Sequence, residues 1–222
     1  MIYKILTLIV ITLNLFLQPS ITWTAPARDA ESVIVGTTES IYKAIQLQCK
    51  DIEQDPRQLH RLVEEIIIPN TDFERMSKWV LGKNWRTADN EQRVAFINEF
   101  RHLLVRTYAT AIQMASLESI RYLPARDGAK PETRIVRTEI RRPGESMVTI
   151  NYYLFNSQGQ WLVYDILVDG ISLVNNYRST FSEEIRKSGV SGLISVMEKK
   201  NATPATRPNA DLIRKRAARA CN

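Results

Sequence analysis

The chain has 222 residues, two cysteines and a formal net charge of +6. That length suits one domain with a sizeable core, while two cysteines are too few for a disulfide-stapled scaffold and lack the spacing of a metal site. The charge argues against a nucleic-acid-binding face: residues 28–200 hold 24 of the 30 Lys and Arg and 23 of the 24 Asp and Glu, so most of the excess sits beyond Asn201.

Lys4, the uncharged apolar run Ile5–Leu17 and Ala25-Pro26-Ala27 have the layout of a cleavable secretory signal over residues 1–27. The run is short for a membrane span, and no later segment approaches eighteen apolar residues, so the mature chain is expected to be exported and soluble. A body over 28–200 and a flexible basic tail over 201–222 complete the expected organisation. Pairing of Cys49 with Cys221 in that tail is left open by the sequence.

A first helix is expected over Glu31–Cys49, from Ile34, Ile41, Ala44 and Ile45, with Gly36 as a weak point. Asp55-Pro56 starts a second, whose face is Leu59, Leu62, Val63 and Ile66 and which Pro69 ends. Asn70-Thr71-Asp72 opens a short helix carrying Phe73, Met76 and Val80, stopped by Gly82. The strongest periodic signal spans Ala88–Ala115, capped by Thr87, with a stripe at Phe96, Ile97, Phe100, Leu103, Leu104, Tyr108, Ala111 and Ile112.

After Leu117 the texture becomes β-branched and aromatic. Ser119–Leu123, Thr133–Arg141, Ser146–Phe155 and Trp161–Val168, separated by turn residues, predict a four-stranded antiparallel meander. The last two strands are apolar on both faces, which predicts cover on both sides. Asp169-Gly170 reads as a turn, Asn175 and Asn176 as loop residues, and Ser179–Lys187 and Ser191–Lys200 as helices parted by Gly189. Helices, then strands, then helices give an α+β class with helices packed on one sheet.

Few residues offer chemistry. Gly170-Ile171-Ser172 lacks the second glycine of a nucleophile elbow, since Val174 stands there. His60 and His102 lie on helices far from it in sequence. Asp165 and Asp169, four apart across a strand end, are poorly placed to converge on one atom. No enzyme activity, cofactor or metal is expected.

The segments "MSKWVLGKNWRTADNEQRVAFINEFRHLLVRTYATAI" and "GQWLVYDILVDGISLVNNYRSTFSEEIRKSGVSGLI" resemble the MlaC family, also called toluene-tolerance auxiliary proteins. The resemblance rests on Val80-Leu81-Gly82 with Trp85 and Arg86, on Leu104-Val105-Arg106-Thr107-Tyr108, and on Tyr164-Asp165, Gly170-Ile171-Ser172-Leu173-Val174, Tyr177-Arg178 and Phe181. It runs over about residues 31–200 in order. It implies helices around a strongly twisted four-stranded sheet that encloses an apolar cavity. It also implies a periplasmic carrier of phospholipid between an outer-membrane lipoprotein complex and an inner-membrane ABC transporter. Transient contact with membrane surfaces belongs to that role. A hopanoid branch of the family leaves a triterpenoid as the alternative ligand.

On that resemblance the expected lining is Phe73, Met76, Val80, Phe100, Leu104, Tyr108, Ile112, Val148, Ile150, Tyr152, Leu154, Tyr164 and Ile166. Tyr177 and Arg178 are expected at the mouth with Tyr108. Arg178 has two readings, a brace to Asp165 and a partner for a lipid phosphate.

Overall fold

A computed structural model describes residues 29–203 apart from 56, 115–118 and 142–145. The expected signal, the basic tail from 204 and Cys221 lie outside the described residues. Cys49 is engaged in a disulfide.

The helices are α1 (Ala30–Leu47), α2 (Cys49–Gln54), α3 (Arg57–Ile66), α4 (Phe73–Leu81), α5 (Asn84–Thr87), α6 (Asn90–Met114) and α7 (Leu173–Ala202), with a 3-10 turn at Ile68–Asn70. The strands are β1 (Ile120–Asp127), β2 (Thr133–Ile140), β3 (Val148–Ser157), β4 (Gln160–Val168) and β5 (Ile171–Ser172). They form one antiparallel sheet in the order β1-β2-β3-β4-β5. This α+β arrangement follows the order of elements in the sequence, with a fifth short strand that the sequence reading lacked.

Local chemistry sets the helix starts. The Asp29 carboxylate accepts from the Ser32 N–H at 2.7 Å and Asp72 from the Arg75 N–H at 2.9 Å. α6 is capped by Asp89, not by Thr87: Asp89 accepts from the Gln92 N–H at 2.8 Å, and the Gln92 side chain accepts from the Asp89 N–H at 3.2 Å. This reciprocal box satisfies two orphan donors, whereas the Thr87 hydroxyl donates back to the Asn84 carbonyl and belongs to α5.

The largest departure from the sequence reading is the start of α7. Asp169 and Gly170 both have positive φ, 48° and 81°, as a two-residue hairpin turn requires. The turn folds Ile171 and Ser172 back beside Val168 and Leu167. The Ser172 hydroxyl then accepts from the Asn175 N–H at 3.0 Å, so Asn175 and Asn176 lie in the first turn of a helix rather than in a loop. The break expected at Gly189 is present, with φ 71° and ψ −175° inside α7.

Strand register gives the sheet two different faces. Ile140 stands opposite Val148, Thr138 opposite Ile150, and Val136 opposite Tyr152, which itself faces Ile166. These residues share the inner face, where Ala30, Val33 and Ile34 of α1 pack on Val136, Leu154 and Val163. Tyr153 and Phe155 point the other way, toward the cluster formed by α4, α6 and α7. A bulge between Tyr153 and Leu154 leaves Tyr164 as the extra residue of β4 and turns it into that outer cluster. Both faces of β3 and β4 are thus covered, as their apolar composition demands.

Candidate functional site

Between α1, the end of α3, the start of α4, α6 and the inner sheet face lies a cavity of about 430 Å³. Its walls are mostly branched aliphatic: Ile34 and Ile41 from α1, Val63, Ile67 and Ile68 around the end of α3, Ile112 from α6, and Ile120, Ile140, Val148 and Ile150 from the sheet. The polar lining is confined to Thr37, Thr38, Asn70, Thr71 and the tyrosines Tyr42, Tyr108 and Tyr152. Ala111 is exposed, and Ile112, Ile120, Val148 and Val168 are partly so. The opening therefore lies where α6 and β4 finish and where β1 and β3 begin.

Nine of the thirteen residues expected to line a cavity do so: Phe73, Met76, Leu104, Tyr108, Ile112, Val148, Ile150, Tyr152 and Ile166. The other four stand elsewhere, each for a packing reason. Val80 and Phe100 belong to the solid cluster with Phe96 and Phe181. Leu154 is fully buried under α1. Tyr164, displaced by the bulge, meets Trp79 edge-on with ring centroids 5.1 Å apart.

The residues of α1 and of the α3 end were not in the expected lining. The signal for α1 was present in the Ile34–Ile41 spacing, with Gly36 as its weak point, but nothing in that spacing shows that the helix borders a void.

Tyr177 is not at the mouth. Its ring packs 5.2 Å from Phe100 and 5.4 Å from Phe181, and its hydroxyl meets those of Tyr108 and Thr107. Burial pushes the Tyr177 phenol well above its ordinary range. Tyr108 thus lines the cavity while its hydroxyl reaches the neighbouring core. Burial also drives the Tyr152 phenol up to about 12, with the Thr138 hydroxyl partly offsetting the shift.

Arg178 is exposed, and its guanidinium lies against the backbone of Gly82, where an added Cβ would meet it at 3.0 Å. The expected Asp165–Arg178 brace does not form. Asp165 is 7% exposed and accepts instead from the Ile166 N–H at 2.8 Å, the Ser172 hydroxyl at 2.6 Å and the Val174 N–H at 3.2 Å. Three donors in a tight turn compensate a buried carboxylate without a cation. The Ser172 hydroxyl is used on both sides, donating to Asp165 and accepting from Asn175, so the Gly-x-Ser segment is a junction between sheet and helix.

Among the described residues no group of three or more His, Cys, Asp or Glu side chains is placed to hold a metal ion. No helix among them is long and apolar enough to cross a membrane. What the arrangement can do is take up hydrocarbon: a dry aliphatic wall, open at one end, with few hydrogen-bonding groups.

Comparison with known proteins agrees with that geometry. Residues 36–199 match the family described as MlaC protein. The intermembrane phospholipid transport system binding protein MlaC of Haemophilus influenzae is 25% identical over 205 residues, covering 90% of this chain and 94% of the relative. Toluene tolerance protein ttg2D of Pseudomonas putida is 23% identical over 169 residues, covering 75% and 77%. A phospholipid-binding protein from Ralstonia solanacearum, solved in complex with a phospholipid, superposes with a TM-score of 0.71 at 29% identity, covering 79% of this chain and 98% of its own. The fold, the apolar cavity and the family match over most of the described residues lead to one assignment: the chain belongs to the MlaC family.

Proposed function

We propose that this protein is a periplasmic phospholipid carrier that holds acyl chains in the cavity beneath the inner sheet face. The observation that carries the reading is the aliphatic hollow of about 430 Å³, set in the fold that holds a phospholipid in the Ralstonia relative. Each methylene withdrawn from water is worth about 0.8 kcal/mol, so a chain of about 16 carbons is worth on the order of 12 kcal/mol. A lipid crossing an aqueous gap needs a cover of equal dryness. A lining with few polar anchors supplies that dryness without holding the cargo too tightly for release. The nine cavity-lining residues named above are the contacts assigned to the tails, and the headgroup faces the opening.

The Haemophilus relative is the binding protein of an intermembrane phospholipid transport system. This supports delivery to or from an inner-membrane ABC transporter, with an outer-membrane lipoprotein complex at the other end. Export by the segment over 1–27 belongs to the same reading.

The test is native mass spectrometry of protein extracted without detergent, with analysis of the released lipid. Wild type is expected to carry phospholipid in stoichiometric amount. Ile150→Trp, which fills the hollow, and Tyr152→Glu, which charges its wall, are expected to keep the wild-type far-ultraviolet spectrum and lose the lipid. Wild-type protein that is bare when isolated and takes up none from vesicles would contradict the proposal.

A further inference from the structure

The cavity is aliphatic almost all round, yet one wall gathers hydroxyls. Tyr122 of β1 stands opposite Thr138 of β2, and Thr138 opposite Ile150 of β3, all on the inner face. Two of the hydroxyls are satisfied: Thr138 donates to the Ile150 carbonyl at 3.3 Å and also meets the Tyr152 hydroxyl. The Tyr122 hydroxyl is not. It is buried beside Thr38, in reach of that side chain's influence but without a hydrogen bond of normal geometry.

Thr38 is unusual in its turn. Helical threonines commonly donate to a carbonyl one turn back, and Thr107 and Thr180 in this protein do so, at 2.6 Å and 2.9 Å. Among the described residues Thr37 and Thr38 make no such bond, and both face the cavity. A buried hydroxyl without a partner is costly, as is a polar group in a dry wall. The Tyr122 hydroxyl is such a group, and Thr38 beside it is a half-buried hydroxyl on the cavity wall; a ligand atom accepting from Thr38 would complete the pair.

We propose that Thr38, backed by Tyr122, is a hydrogen-bond donor station for an acyl ester carbonyl of the bound lipid. The proposal rests on the phospholipid reading above. A small rotation lets Tyr122 donate to the Thr38 oxygen, which frees the Thr38 proton to point into the cavity; successive hydroxyls then polarise one another. The depth fits. The Tyr122–Thr138–Ile150 rung lies two residues inside the Ile120–Ile140–Val148 rung at the opening, which is about 7 Å along a strand. In a diacyl glycerophospholipid with its phosphate at the opening, the ester carbonyls lie a few bonds below it. The station thus fixes how deep the lipid sits, while the aliphatic wall beyond it stays indifferent to chain length.

The experiment is a competition, read by native mass spectrometry of the full protein, between a diester phosphatidylethanolamine and its diether analogue with the same chains. Wild type is expected to prefer the diester by about threefold to tenfold, the range of one neutral hydrogen bond. Thr38→Val and Tyr122→Phe are expected to abolish that preference by weakening the diester alone. Equal binding of the two lipids by wild type, or variants that weaken both alike, would overturn the proposal. Lipid-free Tyr122→Phe is expected to melt at or above the wild-type temperature, because the hydroxyl supports nothing in the empty protein. A clear drop would give that hydroxyl a structural role and overturn the proposal equally. If wild type binds neither lipid, the carrier reading itself fails, and the station with it.

Discussion

One helix serves two regions of opposite character. On one side of α6, Phe96 and Phe100 stack with centroids 5.6 Å apart, and Phe181 meets both edge-on at 6.1 Å; both α6 rings are fully buried. On the other side Leu104, Tyr108, Ala109 and Ile112 face a hollow of about 430 Å³. Both sides are apolar, so composition does not separate them. Shape does. Interlocking aromatic rings from α6 and α7 fill the space between these helices, whereas branched aliphatics on α1, α3 and the sheet form walls around a space that their short side chains do not fill. The solid side carries stability, and the hollow side is the one the proposed function assigns to cargo.

Substitutions measure that division most sharply at Phe100. Phe100→Ala removes a ring from a filled site and is expected to cost about 3–5 kcal/mol in urea unfolding. A cost under about 1 kcal/mol would mean that the region is not solid. Alkaline titration gives the next largest effect, on the hollow side. The Tyr152 phenol is held near 12 in the folded protein against 10.0 ordinarily. The folded state therefore binds more protons than the unfolded state between those values, and stability falls as pH rises. The contribution is intact below pH 10 and drains away toward pH 12, by about 2–3 kcal/mol. Half-buried Tyr177 acts in the same direction. Tyr152→Phe should remove its own share of the decline; an unchanged pH profile would place Tyr152 in contact with water.

Gly82→Ala probes the seam between α4 and α7. At φ 55° and with Arg178 pressed against it, a side chain there is expected to cost about 1–2 kcal/mol. Smallest is Ile112→Ala, which trims a wall that already borders empty space. It is expected to cost less than about 1.5 kcal/mol, measured by the same urea titration, and to leave the fold intact. A loss as large as that at Phe100 would erase the distinction between the two regions.

Much of this architecture was legible in the residues, because it is written in periodicity: the α6 stripe, the paired strands and the apolar character of both faces of β3 and β4. What the periodicity leaves out is which half of a wide apolar stripe meets a neighbour and which meets a void. Phe100 and Leu104 sit in one stripe, yet only Leu104 lines the hollow. Leu154 alternates in step with Tyr152, but the foot of α1 covers it. Tyr164 left its expected side through a bulge that no local signal marks. The Asp165–Arg178 pairing failed for another reason: opposite charge suggested a partner, while the turn had already placed three neutral donors on the carboxylate. Thr37 and Thr38 carried no signal in the sequence, because nothing local shows that Tyr122, on a strand far along the chain, stands beside Thr38.

The most direct measurement is photocrosslinking with a phospholipid that carries a diazirine midway along one acyl chain, followed by peptide mapping. Adducts are predicted on Ile112, Ile150, Tyr152 and Ile166, with none on Phe96, Phe100 or Leu193. Adducts concentrated on the aromatic cluster, or scattered over the outer surface and absent from the inner sheet face, would contradict the assignment of the hollow as the place where lipid is carried.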